Sequence, residues 1–126
     1  MMEKTLLTPI KISIDSKNLP HDLESCLSMV FWKEPEMVAP AAAFMSYVRE
    51  WSRMGSPHKA SDWKKYCAKS GLTQSQYSNM LKRLKRCGMV EKRFNRAIQQ
   101  HEIVPSEKFQ DIMRSAANAW GIFLKQ

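Results

Sequence analysis

The sequence predicts a mainly α-helical fold with one small β-hairpin. Three observations carry that expectation. Apolar residues recur at three- and four-residue spacing along most of the chain, glycines, prolines and capping residues cut those stretches apart, and after Gly88 the period shortens to strand-like alternation. The length, 126 residues, suits one domain (1–126): an N-terminal strand and helix (1–38), a central core (40–104) and a C-terminal helix (106–126).

Ile10, Ile12 and Ile14 alternate with Lys11 and Ser13, so residues 10–14 read as a short strand. His21-Asp22 opens a helix over 22–32, where Leu23, Cys26, Leu27, Val30 and Phe31 share a face; Lys33-Glu34-Pro35-Glu36 breaks it. A second helix is expected from near Pro40, a residue tolerated in a first turn, with Phe44, Met45, Val48 and Trp51 turned inward. Gly55-Ser56-Pro57 ends it.

Ser61 is the expected N-cap of a third helix carrying Trp63, Tyr66 and Cys67, with Gly71 as its left-handed end. Thr73-Gln74-Ser75-Gln76 is a capping box. The helix behind it, 74–87, puts Tyr77, Met80, Leu81, Leu84 and Cys87 in one stripe, and Gly88 stops it. Met89–Phe94 and Ala97–Val104 read as two strands around a turn at Asn95-Arg96. Pro105 blocks further pairing, and Ser106 caps a last helix whose apolar face runs through Phe109, Ile112, Met113, Ala116, Trp120, Phe123 and Leu124.

Charge is distributed unevenly. The net charge is +8, yet from Arg49 to Arg96 thirteen Lys/Arg stand against three acids. Outside that segment acids outnumber bases, so the field is one-sided and suits a polyanionic partner. No apolar run is long enough to span a membrane, and the first residues lack the pattern of an export signal. Cys26, Cys67 and Cys87 are too few and too widely spaced for a disulfide framework. Cys67, Cys87 and His101 lack metal-site spacing, His21 and His58 have no nucleophile nearby in sequence, and no glycine loop cradles phosphate. No enzyme, metal or cofactor is expected. Trp32, Trp51, Trp63 and Trp120 fall on or beside apolar faces and are expected in the core rather than around a small-molecule pocket.

At 100° per residue, Ser75, Ser78, Asn79, Lys82, Arg83 and Arg86 lie opposite the apolar stripe of the capped helix. Residues near its start, including Thr73 and Gln74, are short or neutral, which allows close approach to base edges. Its later turns are cationic, which suits phosphates. Asn79 can pair with adenine, while Lys82 or Arg83 can reach guanine or phosphate. Lys92, Arg93 and Arg96 add cations around the hairpin. The competing interpretation is a solvated helix back that happens to be basic.

The stretch from Gly71 through the capping box, the leucines and Gly88 to Arg93 resembles the winged helix-turn-helix of MarR-like repressors, over residues 61–104. That resemblance implies a cytoplasmic transcription regulator that binds double-stranded DNA, with recognition helix 74–87 in the major groove and wing 89–104 on flanking backbone or minor groove. It also implies a homodimer through the terminal helices, 22–32 and 106–124. Two other readings share the same residues: a protein-interaction module of replication or transcription machinery, and RNA or single-stranded DNA binding. No effector is indicated.

Overall fold

The computed structural model describes residues 10–12 and 19–126. In chain order these form α1 (Leu23–Val30), a 3-10 turn (Pro35–Met37), α2 (Val38–Arg53), β1 (His58–Lys59), a second 3-10 turn (Ala60–Asp62), α3 (Trp63–Ser70), α4 (Gln74–Arg86), β2 (Val90–Asn95), β3 (Gln100–Pro105) and α5 (Lys108–Lys125). The strands make one antiparallel sheet of order β1-β3-β2. The described chain is mainly helical with a hairpin and a C-terminal helix, an order compatible with a winged-helix-like arrangement.

The helix starts follow from side chains that satisfy free amides. Asp22 accepts from the Ser25 amide at 2.8 Å while the Ser25 hydroxyl accepts from the Asp22 amide at 3.0 Å, so α1 opens on a reciprocal box. α2 begins at Val38, two residues before Pro40. The proline still falls in the first turn, where its missing N–H has no partner to lose. Ser61 caps nothing: β1 hands the chain straight into a 3-10 turn, Asp62 stands at the N-cap of α3, and the Ser61 hydroxyl donates to Gln100 Oε1 at 3.3 Å. At α5 the Ser106 hydroxyl accepts from the Lys108 amide at 3.2 Å, although Glu107 occupies the N-cap position.

The strand expected over 10–14 is not seen in its described part. Residues 10–12 are irregular, and the Lys11 amide donates to Met29 O at 3.0 Å, in the last turn of α1. A helix-end carbonyl takes the place of a neighbouring strand. Ser13 and Ile14 lie outside the described residues. The hairpin turn is longer than expected. Asn95 stays in β2 opposite Gln100, and residues 96–99 make the turn, with Gln99 at φ 54°.

The core gathers Leu27, Val30 and Phe31 of the α1 end, Phe44 and Val48 of α2, Tyr66 of α3, Tyr77, Met80 and Leu84 of α4, and Val90 and Ile103 of the sheet. Three of the four tryptophans are not part of it: Trp32, Trp51 and Trp120 are exposed, while Trp63 is half-buried and packs against the core. Trp51 sits in the last turns of α2, and Trp120 sits on a helix with no fully buried side chain. Gly88, at φ 87°, is where α5 is stitched on. The Phe109 amide donates to Gly88 O at 2.9 Å, and a Cβ on Gly88 would stand 2.9 Å from that same nitrogen.

Candidate nucleic-acid interface

Gly71, at φ 81°, lets α3 end and turn into α4 within three residues. Thr73 then fixes the start of α4: its hydroxyl accepts from the Gln76 amide at 3.1 Å, and Gln76 Oε1 accepts from the Thr73 amide at 3.0 Å. Tyr77, Met80 and Leu84 are buried, so the rotation of α4 about its axis is set by the core. Thr73, Gln74, Ser75, Ser78, Asn79, Lys82 and Arg86 are consequently exposed along the other side. The first turns of that face carry hydroxyl and amide groups, and the later turns carry cations.

Arg83 departs from the expected reading face. Its guanidinium donates to Val30 O and to Glu34 Oε1, each at 3.2 Å, and lies over the Phe31 ring. The side chain is only 26% exposed. Placed beside the apolar stripe by the 3.6-residue period, Arg83 clamps α4 to the end of α1 and is not available to reach guanine. That correction removes it from the candidate interface.

Lys85 takes its place, a residue the sequence pattern did not single out. It is exposed, and its ammonium is held below the ordinary lysine value, first by partial burial and then by Lys92, Lys82 and Arg86 around it. The cations of the α4 end and of β2 therefore form one cluster. The signal was present as the i, i+3 relation of Lys82 to Lys85, but only the sheet shows that this side of the helix faces the hairpin.

The register of the hairpin sorts the remaining cations. Lys92 pairs with Ile103 and Phe94 with His101, and Ile103 is in the core, so Lys92, Phe94 and His101 share the sheet face that looks toward α4. Arg93 pairs with Glu102 on the opposite face, and Arg96 lies in the exposed turn. Of the expected wing residues, only Lys92 joins the α4 patch. Phe94 is 45% exposed and meets His101 edge to face at 5.0 Å, an aromatic pair on the same sheet face as Lys92.

His58 ties this surface to the core. Its Nε2 is 2.9 Å from the Tyr77 hydroxyl, and the rings of Phe44, Tyr47, Tyr66 and Tyr77 surround it. Burial holds the imidazole below its ordinary value. Strand β1 is thus bonded to the first turns of α4, which fixes the sheet against the helix. Among the described residues, no group of His, Cys, Asp and Glu is arranged to hold a metal, and no helix is long and apolar enough to cross a membrane. Cys87 is buried, with its thiol pushed up by burial; Cys26 and Cys67 are half-buried.

A family model described as an archaeal family matches residues 21–125, and the chain belongs to that family. No curated protein and no solved structure matches it.

Proposed function

We propose that this member of the archaeal family binds double-stranded DNA and regulates transcription, in the manner of MarR-like winged-helix repressors. In this reading α4 enters the major groove, and the β2–β3 hairpin lies on flanking backbone or minor groove. One observation supports it above the others: α4 turns a neutral, hydrogen-bonding start and a cationic end to solvent, and that end merges with Lys92 of the hairpin. Asn79 is the candidate base reader, Lys82, Lys85, Arg86 and Lys92 hold phosphates, and the capped amides of α4 add partial positive charge.

A second reading, RNA or single-stranded DNA, draws support from Phe94 and His101, because exposed rings on a face that also carries a cation can stack on unpaired bases. Electrophoretic shifts with a selected duplex, random duplex, single strand and RNA separate the two. Asn79→Ala should weaken the selected duplex by about 1–3 kcal/mol and spare random duplex. Arg86→Ala should weaken both and make the salt slope shallower by about one. Failure to shift duplex at low salt, with retention of single strand or RNA, overturns the duplex reading in favour of the second.

A further inference from the structure

A helix seated in the major groove meets a sugar–phosphate wall on each flank, because its width of about 10–12 Å nearly fills a groove about 12 Å across. At about 100° per residue, Lys85 and Arg83 stand on opposite flanks of the exposed face of α4. The Lys85 flank turns toward β2, where Lys92 stands. The Arg83 flank turns toward the end of α1, and there the guanidinium is already engaged by Val30 O and Glu34 Oε1. Any phosphate on that side falls to other cations.

Two lysines are placed there. Lys33 immediately precedes Glu34, and its Nζ lies 5.0 Å from the centre of the Trp32 ring. Lys11 is brought in from the N-terminal segment: its amide donates to Met29 O at 3.0 Å, and its Nζ lies 5.6 Å from the same ring. Both distances are within range of cation–π attraction, so one indole gathers two exposed ammoniums whose like charges repel. Glu34 is taken up by Arg83 at 3.2 Å, and Asp22 by the cap of α1 and by His21 at 3.6 Å; Glu36 is exposed in the following 3-10 turn. Counting along the sequence gives no excess of bases in this region. Position alone singles the pair out.

We propose that, given duplex binding through α4, Lys11 and Lys33 bind backbone phosphates on the wall of the major groove away from the hairpin, with Trp32 as the residue that positions them. The Arg83 clamp then serves recognition indirectly, by fixing the α1 end beside α4 so that both walls are met at once. With ammoniums over it, the Trp32 ring holds cations and is no platform for an unpaired base. Both lysines lie outside residues 61–104, so this contact is an addition to the helix and the hairpin.

Ethylation interference on a selected duplex tests it. Wild type should show a phosphate cluster on each side of the α4 site; Lys11→Ala plus Lys33→Ala should erase one, and Lys92→Ala the other. In electrophoretic shifts the double variant should bind selected and random duplex about tenfold more weakly, with a salt slope shallower by about two. Trp32→Leu should lose part of that affinity, and Trp32→Phe should retain it, because a ring remains beneath the ammoniums. Lys125→Ala, at the far end of α5, should change neither footprint nor affinity. Duplex binding with an unchanged footprint and slope in the double variant overturns the inference and leaves the duplex reading standing. A comparable loss in Lys125→Ala also overturns it, since net charge alone then accounts for the effect. Wild type that fails to bind duplex at low salt overturns both.

Discussion

Helices α4 and α5 are both amphipathic, and the structure treats their apolar faces in opposite ways. The 13-residue α4 fully buries Tyr77, Met80 and Leu84, while the 18-residue α5 fully buries no side chain and packs on the core only through half-buried Phe109 near its start. The difference lies in what is attached to each. α4 is held at its start by α3 across a three-residue turn, along its length by the α1 end and β1, and at its finish by the hairpin. α5 is fastened near Gly88, Met89 and Phe109. No described element lies over its later turns. An apolar stripe reports which face requires a cover, and the path of the chain decides whether the chain itself supplies it.

The sharpest way to break that contrast is to remove one large side chain from each helix. Leu84→Ala should cost about 2–5 kcal/mol in urea unfolding, because it leaves a cavity in a packed core. Trp120→Ala removes more atoms, yet at concentrations where the chain is monomeric it should change stability by no more than about 0.5 kcal/mol. Equal losses would mean that α5 folds back on the core.

A smaller effect tests how α4 is divided between structure and recognition. Arg83→Ala removes the donors to Val30 O and Glu34 and the packing over Phe31, and should cost about 1–3 kcal/mol of stability. Glu34 is partly solvated, so most of that loss comes from the carbonyl bond and the packing. Lys82→Ala, one residue earlier and fully on the exposed side, should leave stability within about 0.5 kcal/mol. If Arg83→Ala instead lowers only DNA affinity, at unchanged stability, the clamp is not its role.

The gentlest probe is pH, acting through the histidine that bonds α4 to the sheet. Burial lowers the His58 imidazole, Asp62 opposes that, and Lys59 adds to the lowering; around them stand Tyr47, Tyr66 and Tyr77. The unfolded chain titrates this group near about 6.5. Below that pH the unfolded state binds more protons than the folded one. His58's contribution, full above about 6.5, should therefore fall away as pH drops toward its lowered folded value. Urea midpoints at pH 7.5 and 5.5 (round values about the ~6.5 reference) should differ less in His58→Phe than in wild type. An unchanged difference assigns the pH dependence to other groups.

Much of α4 was legible beforehand because its signals are local. The box Thr73–Gln76, the left-handed Gly71 and Gly88, and the Tyr77-Met80-Leu84 period each act within a few residues, and the structure has all of them as expected. The misses share the opposite property. His58–Lys59 is too short to show alternation, and it becomes a strand only because Ile103 and Glu102 lie alongside. Ser61 has the right chemistry for a cap but is drawn to Gln100, and Lys85 is grouped with Lys92 by the fold alone.

By itself the sequence determined where α4 begins, where α3 and α4 end, which face of α4 is apolar, and that the positive charge is concentrated between Arg49 and Arg96. These depend on caps, helical period and counting, all interactions within a turn or two of the chain. Tertiary structure alone decided that Arg83 is a clamp, that the Lys92 side of β2 and not the Arg93 side turns toward α4, and that the apolar face of α5 is left open among the described residues. Each of those depends on how separate elements pack against one another, and spacing along the chain carries no record of that.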